Sequence, residues 1–230
     1  MIVRKVFETH EQWKEARKWV FTASQISRLM SKPKNREDLI SQGAKTYCKE
    51  ILAELVAPPE PDYCNSAMER GNEIEPQAVL AYAALYGLDI NDKDFIYTSI
   101  GGYVFFIDED MNVGGTPDIV LTDKIVEIKC PASKTHLDYL LCESAQDLQD
   151  LKPEYYAQMQ LNMWLTQRWS CDFVSYDDRY FNELHRIKII NVPFDNDYFQ
   201  VMTVRISAAL HYFNDIKQSI LPLPNEQMTL

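Results

Sequence analysis

The stretch from 114 to 133, GGTPDIVLTDKIVEIKCPAS, constrains this chain more than any other. Two short runs of β-branched residues read as strands of a hairpin, yet Asp118, Glu127 and Lys129 interrupt them. Strand side chains alternate between faces, so Glu127 and Lys129 share one face while Val126 and Ile128 share the other. If Asp123-Lys124 is a two-residue turn, Val120 pairs with Glu127 and Asp118 with Lys129, and all three charges meet on one patch. A one-residue slip would scatter them. Charges on an apolar strand pair are costly to bury without compensation. They are either a rim ion pair, or a pair of carboxylates holding a hard cation beside a lysine.

The surrounding pattern is mixed. Residues 94–129 hold strand-like runs, FIYTSI, YVFFIDED, DIVLTD and IVEIKC, separated by turn residues. Before them, AKTYCKEILAELV and SAMERGNEIEPQAVLAYAALYG have helical spacing, with PPEPDYCNS as a loop between them. Gly87 is placed to cap the second helix, and Pro76 is expected to kink it or to restart it. After the hairpin, KPEYYAQMQLNMWLTQR opens on Pro153 at a first-turn position. Two strands, SCDFVSYD and RIKIINV, and a closing helix with Asp195 as its cap complete the chain. The predicted fold is mixed α/β, a central mixed sheet flanked by helices rather than a doubly wound parallel sheet.

Several function classes are disfavoured. The 230 residues carry a formal net charge of −11, which repels nucleic acid in bulk and demands a local basic patch or metal ions. Five cysteines at irregular spacings form no zinc or disulfide framework. Neither a signal core nor a membrane-length apolar run is expected, which points to a reducing, cytoplasmic setting.

Pro117-Asp118, eight residues, then Glu127-Ile128-Lys129 resembles the motif of the PD-(D/E)xK nuclease superfamily. Three further segments resemble lambda-type (YqaJ-like) viral alkaline exonucleases. ERGNEIEPQAV is similar to the helix supplying another metal carboxylate, here Glu75. Helical spacing puts Gly71, Glu75, Ala78 and Tyr82 on one stripe and turns Glu73 away; the alternative is a half-exposed Glu75 neutralised by Arg70. PEYYAQMQLNMW is similar to a tyrosine- and glutamine-bearing helix, with Gln158 at the glutamine, or else an amide satisfied inside a helical core. EQWKEARKWVFTASQIS is similar to the amino-terminal segment, with FTAS at an ITAS-like signature and Trp13 and Arg17 at matching distances. Ser24 near a helix start would attract phosphate and Arg17 would clamp it; Ser24 or Thr22 acting only as a helix cap fits the same pattern. This resemblance spans roughly residues 11–175.

What the resemblance implies is a restriction-endonuclease-like core and a single nuclease domain. Residues 1–66 would be a helical part binding DNA and the 5′-phosphate, 67–192 the catalytic core and 193–230 the closing helix. Glu75, Asp118, Glu127 and the carbonyl of Ile128 would hold two Mg²⁺ ions, with Mn²⁺ as a substitute. Lys129 and Gln158 would assist at the water, and Arg17 and Ser24 would take the 5′-phosphate. Met68 is a candidate wedge at the duplex junction, or a core methionine. The implied activity is 5′-to-3′ digestion of one strand of linear duplex DNA, leaving 3′ overhangs for single-strand annealing. A ring-shaped homotrimer and an annealing protein are the implied partners, in a bacterial or phage-infected cell. Another nuclease on the same scaffold, an endonuclease or CRISPR-associated type, and a non-catalytic DNA-end-binding module are the alternatives. Relatives with a four-cysteine iron–sulfur cluster exist, but Cys130 and Cys142 lack suitably spaced partners, so no such cluster is expected.

Overall fold

The computed structural model describes residues 1–35, 37–57, 66–98 and 103–221; the side chains of residues 55 and 66–68 are not described. The chain opens with β1 (Ile2–Phe7) and α1 (His10–Arg17), whose Thr9 and Gln12 form a reciprocal capping box. Then come β2 (Phe21–Thr22), a 3₁₀ turn at Ala23–Gln25, α2 (Ser27–Met30), α3 (Gln42–Val56) and α4 (Ser66–Tyr86). Five strands follow: β3 (Ile96–Tyr97), β4 (Tyr103–Asp108), β5 (Val113–Gly115), β6 (Ile119–Val120) and β7 (Ile125–Lys129). Helices α5 (Ser133–Leu140), α6 (Ala145–Leu151) and α7 (Pro153–Thr166) lead to β8 (Ser170–Tyr176), β9 (Ile187–Pro193) and α8 (Asn196–Ile220).

The strands form two mixed sheets. One has the order β1-β4-β5-β2 and the other β3-β6-β7-β8-β9. The amino-terminal part, expected to be helical, therefore also contributes two strands: β1 runs antiparallel to β4, and β2 pairs in parallel with β5. Gly114 and Gly115 allow that pairing to lie tight against its neighbours. A Cβ on Gly114 would overlap the ring of Phe105, and one on Gly115 would meet Ala23 Cβ at 2.9 Å.

The five-stranded sheet has two apolar faces, each covered by a helix. Val126 and Ile128 pack with Val174 against Ala78, Val79, Tyr82 and Ala83 of α4. Ile125 and Phe173 point the other way, into the main core with α3, α7 and α8. This split follows from period-two alternation, so Glu127 and Lys129 share the α7 side with Ile125. Helix α7 begins at Pro153, as the missing N–H of proline permits, and is buried along most of its length. Asp195 caps α8 by accepting from the Tyr198 N–H at 2.9 Å. Gly87 ends α4 at φ +63°, where a Cβ would be strained. Helix α4 is one element running through Pro76, so the restart expected there does not occur.

The hairpin differs from expectation in register. Val120 pairs with Ile125 and Ile119 with Val126, so the loop is four residues long, closed by the Leu121 N–H to the Lys124 carbonyl at 2.9 Å. Asp-Lys is a poor type I′ turn, because both central residues would need φ > 0. The shift is two residues, which preserves the faces. Continued outward, it sets Asp118 across from Glu127 instead of Lys129.

Candidate active site

The site lies on the α7 side of β7. Glu127 is 1% exposed, a carboxylate inside the core. Its Oε1 accepts from Lys129 Nζ at 2.5 Å and from Gln158 Nε2, and its Oε2 faces Asn162 Nδ2 at 3.4 Å. Gln158 and Asn162 are one turn apart on α7, so both amides reach the same group. Lys129 Nζ also lies over the ring of Tyr155, 5.1 Å from its centre. Asp118 Oδ2 accepts from the Ile128 N–H at 2.6 Å, tying the two motif strands together.

Glu75 arrives from α4. Gly71 sits one turn earlier, where a Cβ would stand 4.0 Å from the Cys130 carbonyl, so α4 runs close to the end of β7. Ala78 and Tyr82 are buried, Glu75 is half-buried and Glu73 is exposed, in line with the stripe expected from spacing. Tyr97 OH donates to Glu75 Oε1 at 2.9 Å. Arg70 does not neutralise Glu75; it pairs with Asp177 and Asp178.

These carboxylates sense one another. Burial pushes the Asp118 carboxyl well above its ordinary range, and the charges of Glu127 and Glu75 push it further, against the opposing pull of Lys129. Burial also raises Glu75; its bond from Tyr97 and the Lys129 charge resist, while Glu127 adds to the rise. For Lys129, burial favours the neutral amine, but Glu127 and Asp118 outweigh it and hold the ammonium. Three mutually repelling carboxylates are hard oxygen donors of the kind that suit Mg²⁺ or Mn²⁺. Among the described residues, however, no three His, Cys, Asp or Glu side chains are grouped as a ready ion cage. Instead, protein donors hold one oxygen each of Glu75 and Asp118 and both oxygens of Glu127.

Beside these groups is a cavity of about 220 Å³. Asp118 and Gln158 line it together with Arg17, Thr22, Ser24 and Thr116, among others. Arg17 is half-buried with its guanidinium 4.0 Å from the ring centre of Trp13, and burial lowers its pKa without discharging it. Trp13 is itself anchored by Nε1 to Thr116 Oγ1 at 3.2 Å, one residue before Pro117. Among the described residues no carboxylate forms an ion pair with Arg17. Ser24 is exposed, within the 3₁₀ turn, and its Oγ is 3.4 Å from Thr22 Oγ1. Neither hydroxyl caps that turn.

Six of the sequence-derived candidates thus come together: Asp118, Glu127, Lys129, Gln158, Arg17 and Ser24. Glu75 feels the charges of Glu127 and Lys129, but among the described residues its side-chain hydrogen bond is to Tyr97 rather than to this group. The Ile128 side chain is buried against α4, and its N–H serves Asp118. The side chain of Met68 lies outside the described residues. Asn162 and Tyr97 were missed; the i, i+4 spacing of Gln158 and Asn162 was a usable signal, whereas nothing local marked Tyr97 as a partner for Glu75.

No helix of the described residues is long and apolar enough to cross a membrane. No curated protein matches the chain. Among solved structures, the alkaline exonuclease LHK-Exo of Laribacter hongkongensis superposes with a TM-score of 0.71 at 27% identity, over 91% of this chain and 95% of that one. The same enzyme in complex with dAMP matches equally well. A phage-related exonuclease of Haemophilus somnus 129PT shares the fold, with a TM-score of 0.69 at 18% identity, over 91% of this chain and all of the other. Residues 12–168 match the YqaJ-like viral recombinase domain, a span that includes both motif strands, Glu75, Gln158 and the Arg17–Ser24 segment. The chain belongs to the YqaJ-like viral recombinase domain family.

Proposed function

We propose that this protein is a divalent-metal-dependent exonuclease that degrades the 5′ strand of linear duplex DNA and leaves 3′ overhangs. The observation that carries the reading is the shared cavity: Arg17 and Ser24 line it together with Asp118 and Gln158. A group that grips a terminal phosphate and a group that serves hydrolysis then act on one strand end.

In this reading Glu75, Asp118, Glu127 and the Ile128 carbonyl hold two Mg²⁺ ions, which Mn²⁺ replaces. When bound, the ions supply Lewis-acid stabilisation of charge on the phosphate and lower the pKa of a water. Lys129 remains cationic and offers its ammonium to developing negative charge. Gln158, a neutral amide, orients a water or a phosphate oxygen without changing the charge balance. Arg17, pre-set against Trp13, clamps the terminal phosphate, and Ser24 donates its hydroxyl to it. The amino-terminal residues grip the end, the core through β9 cuts, and the closing helix braces both. A homotrimeric ring would turn basic groups inward and so reconcile a net charge of −11 with DNA binding. The overhangs suit a single-strand annealing partner in a bacterial or phage-infected cell.

The test is digestion of linear duplex carrying either a 5′-phosphate or a 5′-hydroxyl, with and without Mg²⁺. Mg²⁺-dependent release of nucleotides, faster from the phosphorylated end, is expected. Cleavage of covalently closed circles at a similar rate would instead favour an endonuclease, and end binding without turnover a non-catalytic module.

A further inference from the structure

Asn162 is fully buried on α7, and its Oδ1 has no hydrogen-bond partner among the described residues. Such an orphan acceptor is destabilising, a cost that an apolar residue at this position would avoid. The other end of the amide shows what holds it there. Nδ2 faces Glu127 Oε2 at 3.4 Å. The amide thus presents its NH₂ to a carboxylate oxygen of Glu127 and turns its own oxygen away. That oxygen points at Gly115, where a Cβ would overlap it. The glycine before Thr116-Pro117-Asp118 thus leaves the room that Asn162 occupies.

We infer that Asn162 is a positioning residue for the Glu127 carboxylate. Lys129 and Gln158 hold Oε1, and Asn162 holds Oε2, so the carboxylate plane is fixed from both sides. A carboxylate locked in this way loses less freedom on meeting an ion, which is how groups behind a metal ligand raise affinity. In this role Asn162 acts through Glu127 rather than on the reacting atoms. Tolerance of an orphaned acceptor beside a ligand is the signature of a residue kept for its donor rather than for stability. The inference rests on the metal-binding reading of Glu127 given above.

The test uses the full chain and Mn²⁺ as the probe, with free Mn²⁺ followed by electron paramagnetic resonance. Asn162→Ala should bind Mn²⁺ about 10–100-fold more weakly than wild type. Its melting temperature without metal should stay near that of wild type, because loss of the orphan offsets the lost packing. In turnover, kcat should fall while KM for duplex ends stays unchanged. Should Asn162→Ala not fold, Asn162→Ser supplies the same comparison with a smaller change. A folded variant whose Mn²⁺ affinity is within twofold of wild type overturns the inference. A wild-type protein that binds no Mn²⁺ overturns the metal reading itself, and this inference with it.

Discussion

Two acids flank the five-stranded sheet, half-buried Asp118 just before β6 and fully buried Asp177 just after β8, yet their surroundings are opposite. Burial alone would raise both. Asp177 receives Arg179 Nε at 2.7 Å, Arg179 NH2 at 2.9 Å and Arg70 at 3.2 Å. With Ser133 added, these donors bring its carboxyl down to about 2. Asp118 has one backbone donor and two acidic neighbours, and its carboxyl is driven up. A buried acid with its cations built in is a structural post. One whose neighbours repel it marks a place where charge is expected from outside. Arg70 serves the post, paired with Asp177 and Asp178, rather than neutralising Glu75.

The comparison can be broken by mutation. The largest effect is expected for Glu127→Ala: loss of at least about a thousandfold in cleavage rate, with the circular dichroism spectrum and DNA-end binding retained. Asp177→Ala should do the reverse. It leaves Arg70 with Asp178 alone and exposed Arg179 without its carboxylate, and should cost about 2–4 kcal/mol, or roughly 5–10 °C in melting temperature. Activity per folded molecule should persist. If Asp177→Ala abolished cleavage in a fully folded protein, the division into post and site would fail.

The pH dependence has opposite signs in the two regions. Asp177 has a depressed folded pKa, so its stabilisation is present above the ordinary aspartate value of 3.8 and is lost as pH falls towards about 2. Asp118 and Glu75 have raised folded values, so between the ordinary carboxylate range and those values the folded state binds more protons than the unfolded one. Metal-free stability should therefore decline as pH rises through that window. Thermal melts from pH 2 to 8 should show the acid limb shrink in Asp177→Asn and the alkaline decline shrink in Asp118→Asn. Mg²⁺ should oppose the second effect in wild type, because it binds only the folded ligand set.

Much of this division was readable in the residues, for reasons that also explain the omissions. Alternation placed Glu127 and Lys129 on one face and Val126 and Ile128 on the other, whatever the turn. The two-residue turn was wrong, and the site survived only because an even shift keeps the faces. Helix α6 carried a legible start, with Ser144 and Asp147 forming a reciprocal box, but α5 and α6 are too short for periodicity to separate them from loop. Strand β1 escaped notice because it needs a distant partner, β4, about a hundred residues later. Tyr97 on Glu75 and Trp13 on Thr116 are likewise contacts between distant segments, invisible to local pattern.

Smaller effects sharpen the picture at the rim. Arg17→Ala should raise KM for 5′-phosphorylated ends about 10–100-fold and leave 5′-hydroxyl ends unchanged, the size of one charge-assisted contact. Equal loss on both ends would deny Arg17 a role in reading the phosphate. Smallest is Glu73→Ala, two residues from Glu75 but exposed, which should stay within about 0.5 kcal/mol in stability and leave activity unaltered.

The most direct measurement is anomalous diffraction from crystals soaked in Mn²⁺. Density for manganese among Glu75, Asp118 and Glu127, with none at Asp177, is the predicted result. Manganese bound elsewhere, in a protein whose cleavage depends on it, would contradict the account.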